Sequence, residues 1–221
     1  MKRLLALVRT DIGRKALMGV TGLLLIAFLI THMLANLLVL FNRDGYNEYS
    51  HKLTGNPLIY LAELGLLVFF VSHFVSGILV WMRNRAARPD GYTMKVRADR
   101  TGRKSLASTT MIASGIVMLV FVPLHIATFK YGPWYTTADG RMRDLYRLVI
   151  EIFHSPLYTA WYLIALPVLG AHAWHGFGSG FESLGVAYSS ELRRLGQAIA
   201  VVLTLGFMAV PVYVLLGGGA S

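Results

Sequence analysis

The chain contains no cysteine. That one absence excludes disulfides, thiolate zinc sites, Cys-ligated iron–sulfur clusters and cysteine nucleophiles. Charge is scarce as well. Only 14% of the 221 residues are Asp, Glu, Lys or Arg, against about 25% in an ordinary soluble domain. No glycine-rich nucleotide-binding pattern and no internal repeat is present. Without them the chain has no resource for binding a dinucleotide or for stacking repeat units.

What is abundant is apolar surface. Hydrophobic residues make up 55% of the chain, and the mean hydropathy is +0.56. Such a chain is too apolar for disorder and too poor in polar groups to cover a water-facing surface. The net charge is +10, which in a soluble protein would point to nucleic acid. Here the basic residues cluster beside apolar runs, where an anionic membrane surface attracts them, so lipid and not nucleic acid is the expected partner. The basic N-terminal segment runs straight into a full-length apolar stretch without a small-residue cleavage site, unlike a secretory leader.

Five stretches reach the roughly 20 apolar residues that a span requires. They cover 16–41, 57–82, 105–129, 156–181 and 196–216, and Glu63 is the one formal charge inside them. Hydrocarbon offers no partner to a bare backbone, so each is expected to be a helix. The expected fold is an all-α integral membrane protein in one domain, a four-helix bundle plus a fifth helix. Fifteen of the 21 Lys and Arg residues fall on one side of this arrangement: in the N-terminal segment, in the loop between the second and third stretches, and at Arg193 and Arg194. That side is assigned to the cytoplasm, which places the N-terminus inside.

Four of the five stretches carry a histidine well inside the apolar run: His32, His73, His125 and His172. An ionisable residue in a membrane helix marks a functional site by default. Counted along each helix, His32 and His125 fall in the outer half and His73 and His172 in the inner half. In a four-helix bundle these pairs occupy the two diagonals. Two facing histidines at one level clamp a metal centre. Zinc takes three or four ligands at one level, whereas two levels of two imidazoles suit two haems b, each with both axial positions filled and fit for electron transfer. Small or amide-bearing neighbours (Asn36, Gly77, Gly115, Gly176) leave room for a flat ring or for close helix contact, and Pro123 and Pro167 precede two of the histidines. His175 lies three residues after His172 on the same face and competes with it; it is assigned to a propionate or packing contact. His51 and His154 fall at the outer ends and are expected to be solvated.

These residues lie in segments with a familiar look: KALMGVTGLLLIAFLITHMLANLLVLF, GYNEYSHKL, YLAELGLLVFFVSHFVSGILVWMRNRAARP, SLASTTMIASGIVMLVFVPLHIATF and GAHAWHGFGSGFESLG. From the first helix to the fourth, the chain resembles the cytochrome b subunits of succinate dehydrogenase and fumarate reductase, in the five-helix, two-haem b558-type group. The resemblance implies axial ligands at His32 and His125 for an outer haem and at His73 and His172 for an inner one. A family spacing of thirteen residues before the glycine that is here Gly185 selects His172 over His175. It further implies a membrane anchor, in the bacterial cytoplasmic membrane, for a flavoprotein and an iron–sulfur subunit docked on the cytoplasmic face. Electrons would reach a quinone, usually menaquinone in this group, near the outer haem. Asn36, Glu48 and Glu63 are the polar candidates there, and a carboxylate such as Glu63 is suited to passing protons. Some fumarate reductases of the group have a glutamate where this chain has Gly170, which puts that proton route in doubt here. Other readings fit the same residues: the cytochrome b partner of another quinone-linked dehydrogenase or a hydrogenase, a haem-free transporter with a histidine relay, or an anchor whose histidines only pack.

Overall fold

The structure, a computed structural model, describes residues 10–86 and 106–219. Of the basic residues that set the expected orientation, Lys2, Arg3, Arg9, Arg88, Lys95, Arg97, Arg100, Arg103 and Lys104 lie outside the described residues. Among the described residues the chain forms seven α-helices and no strand beyond an isolated bridge between Thr136 and Arg143. They are α1 (Asp11–Leu37, continued by a 3-10 turn at Leu38–Leu40), α2 (Arg43–Gly55), α3 (Leu58–Ala86), α4 (Leu106–Phe129), α5 (Leu145–His154), α6 (Pro156–Ser183) and α7 (Ser190–Leu215).

Four units, α1 with its 3-10 turn, α3, α4 and α7, are long and apolar enough to cross a membrane; a fifth is counted if α5 and α6, bent by 94° at their junction, are taken together. The five expected stretches coincide with α1, α3, α4, α6 and α7 to within a few residues. The two short helices at their ends, α2 and α5, do not appear in the hydropathy pattern. The helix starts are chemically legible. Thr10, Asn42 and Ser189 each place a side-chain oxygen on a free N–H of the first turn, at Gly13, Gly45 and Leu192, which satisfies donors that the helix itself leaves unpaired. The bend between α5 and α6 sits at Pro156. Proline forces the preceding Ser155 into an extended conformation (ψ 117°), because its ring clashes with a helical neighbour. The Thr159 hydroxyl then bonds back across the bend to the Phe153 carbonyl at 2.6 Å.

Helices α1, α3, α4 and α6 form a ring in which each packs on the next, the α3–α4 contact being the slightest. α1 faces α4 across one diagonal and α3 faces α6 across the other. α7 seals the outside of the ring against α1 and α6. α6 is the most enclosed, with nine buried residues including Thr159, Tyr162, Gly170 and Gly180. Close approach is built on small residues, as is usual between helices in lipid. A Cβ on Gly19 would lie 2.9 Å from the Gly180 carbonyl oxygen, and one on Gly170 would fall onto the Thr204 hydroxyl of α7. A carboxylate side chain at position 170 therefore has no room. α3 is the opposite case. Ser76 is its one buried residue, and Leu61, Leu64, Leu67, Val68, Val71 and Val75 are exposed in a continuous band. Water would penalise such a band, and hydrocarbon does not.

α2 and α5 lie together across one end of the bundle, the capped end. Their junction is polar and dry. Asp144, with a side chain 3% exposed, accepts from Arg43 at 2.6 Å, from the Asn47 amide at 2.9 Å and from the Arg147 backbone N–H at 3.0 Å. Asn47 in turn accepts from the Tyr146 N–H at 2.9 Å. Burial alone would raise the Asp144 pKa; the bonds from Arg147, Arg43 and Asn47 outweigh it and hold the carboxyl below its ordinary 3.8. A depressed folded-state pKa contributes stability that is complete above the ordinary value and is lost as the pH falls below it. Asp144→Ala is expected to cost about 2–3 kcal/mol, since it orphans a guanidinium, an amide and a helix-start N–H. Unfolding followed in detergent checks both points: the wild type loses stability as the pH falls through and below 3.8, and the variant loses less there.

Candidate functional site

The four intramembrane histidines meet in two pairs, one across each diagonal. The ring centres of His32 (α1) and His125 (α4) are 5.7 Å apart with ring planes at 88°. Those of His73 (α3) and His172 (α6) are 6.2 Å apart, with planes at 75°. The first pair is nearer the capped end and the second deeper toward the other. Thr21 and Met18 of α1 reach His73, and Thr21 precedes His32 by eleven residues. Ser114 of α4 reaches His172 and precedes His125 by the same eleven. At 1.5 Å per residue both intervals put the two levels about 16 Å apart along the bundle.

Each ring is held from the side. His73 donates its Nδ1–H to the Met18 carbonyl at 3.0 Å. His172 Nδ1 lies 2.9 Å from the Ser114 hydroxyl, and His125 Nδ1 lies 2.9 Å from the Tyr162 hydroxyl. In these three rings Nε2 has no hydrogen-bond partner among the described residues. His32 is held differently: it stacks on Phe28 (5.2 Å, 18°) and abuts Phe207 of α7 at 5.9 Å. The Asn36 amide, one turn on, donates to the His32 carbonyl at 2.8 Å and lies 3.4 Å from Nε2. Asn36 also accepts from Tyr46 of the cap at 3.4 Å, so a polar chain leads from α2 to this ring. His125 is stacked on Phe121 (5.8 Å, 20°) and flanked by Phe129.

This arrangement can take a metal between the members of each pair. Two imidazoles on opposite sides of one ion need ring centres roughly 6 Å apart, given metal–nitrogen bonds of about 2.0–2.1 Å and the radius of the ring. Both pairs are close to that spacing. A ring fixed through Nδ1 presents Nε2 as the ligand, the usual second-shell arrangement for a metal-binding histidine. No three His, Asp or Glu side chains converge among the described residues, so neither level has the ligand set of a zinc site. Two imidazoles per level are what a haem iron needs, because the porphyrin supplies the other four positions.

The remaining candidates fall as follows. Glu63 lies in the first turns of α3 and is ion-paired with Lys130, just past α4, at 2.5 Å. Glu48 is exposed on α2 and paired with Lys52 at 2.6 Å. His175 is partly buried on α6 and makes no hydrogen bond among the described residues. His51 and His154 are exposed, on α2 and at the end of α5. The glycines picked out by sequence are not the tight ones. A Cβ on Gly176 would meet nothing within 4 Å, one on Gly77 would meet Met18 Sδ at 3.8 Å, and one on Gly115 would touch His172 Cε1 at 3.8 Å. Gly22, which sequence reading passed over, is the close one: its Cβ would lie 2.9 Å from His73 Cε1 and 3.2 Å from Nδ1. The positioning groups Met18, Ser114 and Tyr162 were also missed. Ser114 and Tyr162 lie eleven residues before His125 and ten before His172, a spacing that carries meaning only once the helix register is known.

Compared with protein-family models, with curated proteins and with solved structures, the chain matches none.

Gly22→Ala is expected to push the His73 ring off its bond to Met18 and to destabilise the protein by about 1–3 kcal/mol, the usual cost of overpacking. Gly77→Ala, which meets only ordinary contact, is expected to stay within about 0.5 kcal/mol of the wild type. Unfolding of the two variants side by side in one detergent checks the contrast.

Proposed function

We propose that this chain is a two-haem cytochrome b that anchors a succinate:quinone oxidoreductase and carries electrons between its iron–sulfur subunit and a membrane quinone. The observation that carries the reading is the meeting of His32 with His125 and of His73 with His172, two imidazole pairs at two levels across both diagonals of one bundle. The resemblance of the first four spans to the b558-type subunits, which includes these same four histidines, is in keeping with it. Four histidines that only packed against their surroundings would have no reason to sort by pairs.

In this reading His32 and His125 hold one haem b and His73 and His172 the other. Haem iron with two imidazole ligands supplies one-electron transfer and no open position for oxygen. The chain's own work is to hold those rings. Met18, Ser114 and Tyr162 fix three of them, while Phe28, Phe121, Phe129 and Phe207 exclude water from the level nearer the cap. The end that carries Arg14, Arg83, Arg85, Arg193 and Arg194 is the cytoplasmic docking face for the flavoprotein and iron–sulfur subunits. The quinone, taken as menaquinone, meets the protein at the capped, outer end. There the Glu63–Lys130 pair supplies a carboxylate and an ammonium within reach of hydrocarbon, and Asn36 links that end to His32. Succinate and fumarate chemistry belongs to the flavoprotein, since the described residues form membrane-type helices and no nucleotide-binding fold.

Protein purified in mild detergent is expected to show a bis-imidazole b-type spectrum with two haems per chain, and His73→Ala is expected to keep one. A colourless preparation favours the transporter reading, and retention of both haems by His73→Ala overturns the ligand assignment. The identity of co-purifying subunits separates a succinate:quinone oxidoreductase from a hydrogenase or another dehydrogenase. Glu63→Gln is expected to retain both haems and to slow electron exchange with a menaquinone analogue at least about tenfold, within the range for loss of a proton-transferring group.

A further inference from the structure

We propose that Ser114 is a positioning residue for His172: its hydroxyl oxygen receives the Nδ1 proton of the imidazole, fixing which ring nitrogen is bare and raising the basicity of that nitrogen. The argument starts from the single proton of the hydroxyl. Ser114 Oγ lies 3.0 Å from the Met111 carbonyl oxygen, three residues back in α4, and 2.9 Å from His172 Nδ1. A carbonyl only accepts, so the hydroxyl proton goes to Met111. With the hydroxyl proton on Met111, the lone pairs of Oγ face the ring, and the proton of His172 is assigned to Nδ1. The partner ring is fixed the same way by a different group, because His73 Nδ1 lies 3.0 Å from the Met18 carbonyl and can only donate to it. Both rings of this pair therefore carry their proton on Nδ1 and leave Nε2 bare.

The pair nearer the cap lacks this arrangement. Among the described residues Tyr162 has no second hydrogen-bond partner that commits its proton away from His125, and the group beside the His32 ring is the Asn36 amide nitrogen, itself a donor. Among the described residues Ser114 thus does for His172 what the Met18 carbonyl, with the Thr21 hydroxyl at 3.5 Å, does for His73. A hydrogen bond from the distal ring nitrogen to an acceptor makes the ligating nitrogen more electron-rich, which favours the oxidised state of an iron held there.

The proposal rests on the two-haem reading for its redox consequence and not for the tautomer. The test is a redox titration of the full chain followed at the haem bands, with Ser114→Ala, Ser114→Thr and wild type in parallel. Ser114→Ala is expected to raise the midpoint potential of one of the two haems, or to release that haem about tenfold more readily, with the other haem unmoved. Ser114→Thr, which keeps the hydroxyl, is expected to match the wild type. An unchanged potential with both haems retained in Ser114→Ala overturns the proposal, as does a Thr variant that behaves like the Ala one. If the preparation carries no haem, the functional reading fails. The ¹⁵N imidazole spectrum of the labelled full chain then decides: a protonated Nδ1 on His172 that Ser114→Ala abolishes upholds the proposal, and a bare Nδ1 overturns it.

Discussion

A polar group carried into the middle of this bundle must find its partner inside the bundle. Hydrocarbon supplies none, and an unmet donor or acceptor there costs several kcal/mol. The requirement explains how the histidines are held. Each paired ring is secured by a group on an element other than its pair mate: His73 by α1, His172 by α4, His125 by α6, and His32 by its own helix and, through Asn36, by the cap. The pairs are formed across the diagonals, and three of the four anchors come from the neighbours around the ring. Orienting a ring and pairing it are thereby separated, so neither contact competes with the other.

The same requirement sets the character of the helices. α6 touches α1, α4 and α7 and is correspondingly rich in small and polar residues, with Gly170 against Thr204 and Gly180 against Gly19. α3 touches little besides α1 and presents mainly Leu and Val on its outer side. The cap solves a related problem at the bundle's end. Chain that turns back there has free N–H groups, and Asp144 and Asn47 collect several of them into one buried network joining α2 to α5. Beneath it the larger of the two buried clusters, with Val39, Tyr46, Phe121, Phe153 and Tyr162, reaches His125 of the pair nearer the cap through Phe121 and Tyr162.

The proton bookkeeping of the deeper pair shows why a site is more than its ligands. A histidine on a helix can turn either nitrogen to its neighbour, and the two faces differ in chemistry. Here a main-chain carbonyl faces one ring and a hydroxyl bonded to another carbonyl faces the other, and both favour a proton on Nδ1. That commitment is a property of two bonds at one oxygen, and it makes Ser114 more than a space-filling residue. Proton movement along α6 by way of position 170, by contrast, has no carboxylate to use and no space for one.

The sequence by itself determined that this chain lives among apolar surroundings, where its long helices lie, and which histidine shares a level with which. Hydropathy and the 1.5 Å rise are local properties, so counting residues along a span was enough to sort His32 with His125 and His73 with His172. It did not determine the two capping helices, whose short amphipathic runs carry no membrane signal, nor the sharp bend at Pro156. It also passed over Gly22 and picked Gly77, since a glycine's importance depends on what faces it and not on its place in its own helix. The partners of the imidazoles were decided only in three dimensions. Met18 reaches His73 across 55 residues of chain and Ser114 reaches His172 across 58, and contacts between helices depend on the rotation of each about its own axis, which packing against all its neighbours fixes at once.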